Sequence, residues 1–287
     1  MKIARIRTTT GWDFAVSRDG ADWTTLASVG VDAATTDVVL ERLDEIRSLT
    51  ASAAAEPVAE GRFLCPVRRP GKILAVGLNY VDHAKETGAS TPESPVIFAK
   101  YVSSLNDPFG DVVIGEPVTS QADYEAELAV VIGRPAKGVP ASRAMEHVAG
   151  YAVANDVSAR DGQRRDSQFS RSKSADTFCP IGPWITTADE IADVRSLRLG
   201  STVDGEPRQR GVVADMVFDI PALIEHLSAT ITLETGDVIL TGTPPGVGMG
   251  MKPPRYLADG EVVECWIDGL GAIRNRFVVP QLASADR

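Results

Sequence analysis

The sequence predicts an α+β fold in which strands dominate. Apolar runs of strand length recur along the chain and end at Gly, Pro or Asp-Gly turns, as at residues 72–78, 95–100 and 237–241. Helical spacing of apolar residues is confined to short stretches, at 36–49, 140–147 and 220–227. With 287 residues the chain is one large domain or a large domain with a small one, long enough to bury a sizeable core.

Residues 2–7 and 12–17 read as two short strands joined around Thr10-Gly11, with Asp19-Gly20 as the next turn. Behind a Thr/Asp start, Val39, Leu40, Leu43, Ile46 and Leu49 recur at helical spacing. Residues 1–65 therefore form a small α+β N-terminal unit. A second segment, 70–287, opens at Pro70-Gly71, and its first buried strand runs straight into Asn79-Tyr80-Val81-Asp82-His83-Ala84-Lys85-Glu86. Further strands are expected at 95–100 and 111–114, and a short helix at 140–147 with Pro at its start. The polar run 160–168 is either a solvated loop or part of a site, and 173–183 holds too much Pro and Gly for a helix. Asp204-Gly205 and Asp268-Gly269 mark hairpins. His147 and His226 each stand alone on a helix, without carboxylates at ligand spacing, and read as structural.

The formal charge of −10 argues against nucleic acid or an acidic membrane surface as partner. Cys65, Cys179 and Cys265 lie far apart in no C-x-x-C spacing, which indicates reduced core thiols rather than a disulfide framework or a zinc site. The N-terminus alternates like a strand without the apolar run of a signal peptide, and no later run could span a bilayer, so the expected compartment is the cytoplasm. Residues 237–250 are a strand feeding a glycine-rich loop. That loop lacks G-x-x-x-x-G-K-[ST] and is followed by Pro253-Pro254, which argues against a nucleotide site and leaves the Thr243 hydroxyl to meet a small oxygenated ligand.

The chemistry centres on residues 122–132. Read with period 2, Tyr124, Ala126, Leu128, Val130 and Ile132 share one face, and Glu125, Glu127, Ala129 and Val131 the other, so both faces are apolar. Burying an unpaired carboxylate there costs several kcal/mol or forces it to take a proton. Same-face neighbours rise roughly 6.5 to 7 Å apart, close enough to turn onto one cation. Alone, the pair equally fits the wet end of an edge strand. Asp156 closes the apolar strand that precedes it, where an aspartate also serves as a turn cap. The three together would make an oxygen-rich site suited to Mg²⁺ or Mn²⁺. His83 and Glu86 stand three apart, so one helical turn would set imidazole beside carboxylate as a base for water; a lone H-x-x-E also fits a solvated turn.

Five motifs in order resemble the fumarylacetoacetate hydrolase family: G-L-N-Y-V-D-H-A-K-E at 77–86, D-Y-E-A-E-L-A-V-V-I-G at 123–133, N-D-V-S-A-R-D at 155–161, K-S-A-D-T-F-C-P-I-G-P at 173–183 and T-G-T-P-P-G-V-G at 241–248. The resemblance implies a mixed β-sandwich roll from residue 70 onward, paired as a homodimer, with a divalent cation on Glu125, Glu127 and Asp156. It implies that His83 and Glu86 are the water-activating dyad on a segment that closes as a lid, that Lys173 assists catalysis, and that Arg160, Gln163 and Thr243 touch substrate. Fumarylacetoacetase itself carries a further carboxylate shortly before the histidine, where this chain is apolar, and that favours the acylpyruvase-like branch. The tail at 248–257 resembles members that degrade diketo-deoxy sugar acids. The expected reaction is metal-dependent hydrolysis of a C–C bond in a small 2,4-dioxo acid, releasing pyruvate. Oxaloacetate decarboxylation, isomerisation of 2-hydroxyhepta-2,4-diene-1,7-dioate and ureidoglycolate cleavage are the rivals on the same site, and a catalytically silent dimer that binds a small acid is the rival without chemistry.

Overall fold

A computed structural model describes residues 1–280. Its layering follows from the strand Ala126–Ile132, in which every residue is buried. Leu128, Val130 and Ile132 face one core, with Leu199, Val263, Ile273 and Phe277 of a five-stranded sheet and Leu223, Ile224 and Leu227 of the helix Ile220–Thr230. Ala129 and Val131 face a second core, with Ile3, Phe14 and Val16 from the N-terminal strands and Val39, Leu40 and Ile46 from two short helices. The expected mostly-β α+β class holds, and the period-2 reading of this strand assigns both faces correctly.

The main sheet has twelve strands. Ala126–Ile132 pairs antiparallel with Val148–Asn155 on one side and Val238–Leu240 on the other, and Val238–Leu240 runs parallel to Ile73–Gly77. One end of the sheet thus gathers the start of the first of these strands and the ends of the other three. Lys2–Thr8 bonds to Cys179–Thr187, so the strands of residues 1–65 extend the sheet of the second segment.

Local chemistry accounts for the connections. Asp204 (φ 49°) and Gly205 (φ 81°) both adopt the left-handed conformation that a two-residue hairpin needs. Asp219 caps the helix Ile220–Thr230 by accepting from the Ala222 N–H, with Pro221 in the first turn. The helical stretch 36–49 is two helices, Thr36–Glu41 and Leu43–Leu49, separated at Arg42. The polar run after Asp156 is in part a helix, Arg160–Arg165, with Asp161 in its first turn and Arg164 and Arg165 in its last, each complementing the helix dipole. All three cysteines are free and buried, and burial pushes the Cys65 and Cys179 thiols up to about 12. No helix among the described residues is long and apolar enough to cross a membrane.

The glycine-rich loop after Val238–Leu240 is pinned from below by the buried Tyr124, whose hydroxyl donates to the Gly246 carbonyl at 2.9 Å. Tyr124→Phe should cost about 1 kcal/mol in chemical denaturation. An unchanged denaturation midpoint would show that the bond contributes nothing.

Candidate active site

The site is built where the four strand ends meet. The pairing of Ala126–Ile132 with Val148–Asn155 runs one residue further, the Asp156 N–H donating to the Glu125 carbonyl at 2.9 Å. That bond sets Asp156 beside the two glutamates. Candidate ligand oxygens of Glu125, Glu127 and Asp156 all lie within 4.8 Å of one another, and all three residues are buried. On the far side, Gly242 (φ 98°) turns its N–H onto Glu127 Oε2 at 2.8 Å. A Cβ there would come within 2.7 Å of the Asn79 side chain, so the turn requires glycine.

Three buried cations face this cluster. Lys173 Nζ bridges Glu125 Oε2 at 2.5 Å and Asp156 Oδ2 at 2.6 Å. Arg160 donates to Glu125 Oε1 at 2.7 Å, to Asp123 Oδ2 at 2.9 Å and to Gln163 Oε1 at 2.9 Å. Lys100 Nζ donates to Asp156 Oδ1 at 2.6 Å, to the Phe178 carbonyl at 3.1 Å and to the Lys173 carbonyl. Burial works against the charge on Glu125, but Lys173 and Arg160 outweigh it and hold that carboxyl below the usual range. Glu127 goes the other way. Burial, then the neighbouring Asp156 and Glu125 charges, push it well above the ordinary carboxylate range.

The donor set fits a hard divalent cation. All three side chains offer oxygen, the ligand type Mg²⁺ and Mn²⁺ prefer. Four buried carboxylates, Asp123, Glu125, Glu127 and Asp156, face three buried cations, which favours a proton on Glu127; a divalent cation held there would take that proton's place.

His83 lies on the helix Val81–Glu86, which the chain enters through a left-handed turn at Leu78 (φ 56°), a conformation sparsely populated by leucine. Its imidazole is buried, Nδ1 has no hydrogen-bond partner, and burial lowers its pKa below the ordinary histidine value. The structure does not join His83 to Glu86. Glu86 Oε2 accepts from the Gly246 N–H at 2.7 Å and Oε1 is buried without a partner. Helical spacing places the two residues on neighbouring positions, but Glu86 bonds to the glycine-rich loop instead of the imidazole. Burial raises its carboxyl, against the pull of that amide.

A cleft of about 240 Å³ brings His83, Glu125, Glu127, Arg160, Gln163, Lys173 and Thr243 together, walled on its apolar side by Val76, Phe98 and Phe169. Glu86 and Asp156 stand behind its lining. The Thr243 hydroxyl is already committed to the scaffold, donating to the Ala126 carbonyl at 2.9 Å and accepting from Gln209 Nε2 at 2.7 Å. His226 is exposed on its helix and His147 bonds the Arg134 carbonyl, neither near the cluster.

Sequence reasoning missed Lys100 and Asp123. Asp123 accepts from the Gly248 and Met249 N–H groups at 2.7 and 2.9 Å while pairing with Arg160, so it ties the glycine-rich loop to the cation beneath it. Its signal was present as a third acid in the run Asp123-Tyr124-Glu125-Ala126-Glu127. Lys100 closes an apolar strand and reads as a solvated end, since nothing local shows that its ammonium is covered.

The sequence pattern of the fumarylacetoacetate (FAA) hydrolase C-terminal domain matches residues 72–278. The chain belongs to the fumarylacetoacetate hydrolase family. It is an enzyme of that family, as the motif resemblance implied. It is 47% identical over 234 residues to the mitochondrial oxaloacetate tautomerase FAHD2A of Homo sapiens, spanning 81% of this chain and 74% of that protein. Among solved structures of the family, it is similar to fumarylacetoacetate hydrolase from Exiguobacterium antarcticum, with a TM-score of 0.85 and 37% identity over 98% of this chain and 100% of that one. It is also similar to maleylpyruvate hydrolase from Sphingobium sp. SYK-6, solved with manganese(II) and pyruvate, with a TM-score of 0.82 and 31% identity over the same shares.

Proposed function

We propose that this chain holds Mg²⁺ or Mn²⁺ on Glu125, Glu127 and Asp156 and interconverts the keto and enol forms of a small 2-keto acid of the oxaloacetate type. The observation that carries the reading is His83: a buried imidazole whose pKa burial lowers, which lines a small cleft beside the carboxylate cluster and whose Nδ1 has no hydrogen-bond partner. Tautomerisation asks for one base that removes a C3 proton as the electron pair moves into the C2–C3 bond and the keto oxygen takes up charge, and that then delivers the proton to that oxygen to give the enol. His83 has the protonation state for that role and does not need Glu86. Lys173 and Arg160 bring fixed positive charge to the floor of the cleft where negative charge develops. A divalent cation held there would supply Lewis acidity toward the substrate oxygens. The human relative named an oxaloacetate tautomerase supports the same substrate class.

C–C bond hydrolysis of an acylpyruvate is the second reading, favoured by His83 and Glu86 sharing one helix and by the neighbour solved with pyruvate. That reaction needs a water deprotonated by an oriented imidazole, and Glu86 here is bonded to Gly246 instead. The test follows loss of enol absorbance from freshly dissolved oxaloacetate, with and without Mn²⁺, and pyruvate release from acylpyruvates in parallel. Metal-dependent acceleration of the first is expected. Pyruvate release from acylpyruvates without any effect on oxaloacetate would replace tautomerisation by hydrolysis. The proposal extends to a homodimer; the human relative is named mitochondrial.

A further inference from the structure

Resting on the keto-acid reading above, we infer that Arg164 is a specificity-determining residue that receives a second, distal carboxylate, so that the preferred substrates are dicarboxylic 2-keto acids. The helix Arg160–Arg165 lines the cleft with Arg160, Gln163 and Arg164. Positions four apart share a helix face about one turn, roughly 6 Å, from each other. Arg160 is buried at the carboxylate cluster, whereas Arg164 is exposed at the same cleft. The helix therefore presents one guanidinium at the floor of the cleft and one at its rim.

Their partners differ in kind. Arg160 is held by Asp123 and Glu125, and Lys173 by Glu125 and Asp156. Both already have carboxylate partners in the scaffold. Arg164 bonds only the neutral side-chain oxygen of Gln121. The nearby acids are engaged elsewhere: Asp161 accepts from the Gly162 N–H and bonds Thr119, and Asp166 pairs with Arg171. Among the described residues, Arg164 is thus the one cation of the cleft without a carboxylate partner. Exchanging an amide oxygen for a carboxylate strengthens a guanidinium hydrogen bond about twofold and allows a two-pronged contact. The rest of the outer wall, Val76, Leu78, Phe98, Phe169 and Met249, gives a distal carboxylate no other charged donor. The volume of about 240 Å³ falls below the roughly 300–1,000 Å³ of pockets for drug-sized ligands, which suits a small acid.

The experiment compares oxaloacetate with 2-oxobutanoate, in which a methyl group replaces the distal carboxylate, by following solvent deuterium exchange at C3 by NMR with Mn²⁺-loaded protein. The parent is expected to favour oxaloacetate, and Arg164→Leu to cut the ratio of the two kcat/KM values by about tenfold or more, mainly through KM for the diacid. Arg164→Lys should recover part of the ratio by keeping the charge while losing the fork. Thermal midpoints check that all three proteins are equally folded. A ratio equal in Arg164→Leu and the parent overturns the role of Arg164 and leaves the keto-acid reading standing. A parent protein that exchanges C3 protons in neither acid overturns both.

Discussion

Replacing Lys173 by methionine is expected to lower the melting midpoint of the cation-free protein by about 10 °C, and added Mn²⁺ is expected to recover much of the loss. Lys173 Nζ sits between Glu125 Oε2 and Asp156 Oδ2, with all three side chains almost without solvent. Burial opposes its charge, and Asp156 and Glu125 outweigh burial, so the ammonium persists. Removing one partner of a buried ion pair costs about 3 to 5 kcal/mol, and here it leaves Glu125 and Asp156, away from water, with one counter-ion each, Arg160 and Lys100. Each kcal/mol is worth about 2 to 4 °C in a domain of this general size. An ion bound to the same carboxylates returns positive charge and stabilises the folded state by mass action, about 2.7 kcal/mol at a hundred times its Kd. The Mn²⁺-induced shift should therefore be larger in Lys173→Met than in the parent. Scanning calorimetry with EDTA and with MnCl2 reads both effects, and equal shifts in the two proteins would mean that ion and lysine do not act on the same charges.

Replacing His83 by asparagine is expected to lower turnover about 10²-fold or more while leaving Mn²⁺ affinity near that of the parent. The substitution removes the cleft's neutral base and touches none of the three carboxylates. The pH profile supplies an independent check with a definite sign. Burial disfavours the imidazolium, so the folded protein keeps His83 neutral below the ordinary histidine pKa of about 6.5. Activity that needs the neutral base then persists through that value and falls only as pH drops through the depressed pKa. Stability follows the same direction. The contribution of neutral His83 is present above the unfolded value and is lost as pH falls toward the folded one, because the unfolded chain takes up the proton first. An acidic limb of kcat/KM centred at or above about 6.5 would assign it to another group.

The carboxylate cluster was legible because it violates strand chemistry within a short window. Glu125 and Glu127 belong to a run whose two faces are both apolar, and Asp156 ends another such run; alone each also fits a strand's wet end or a turn cap, and the three together are what stand out. The fold class was legible for a related reason, since Asp204-Gly205 and the stripe Leu223, Ile224, Leu227 are local signals. What escaped depends on tertiary placement. Lys100 meets Asp156 across 56 residues and Arg160 meets Asp123 across 37, and no spacing rule links such positions. The His83–Glu86 pairing failed for the opposite reason. Helical adjacency was read correctly, but a glycine amide 160 residues downstream competes for the carboxylate.

That competition ties two parts of the cleft's mouth together. The short helix bearing His83 is fastened through Glu86 to Gly246, and the loop beyond Gly246 is fastened through Gly248 and Met249 to Asp123. Displacing that helix away from the loop would break the Glu86–Gly246 bond. The position of the base and the position of the loop over the cleft's mouth thus share one amide contact, and a change that removes it bears on both.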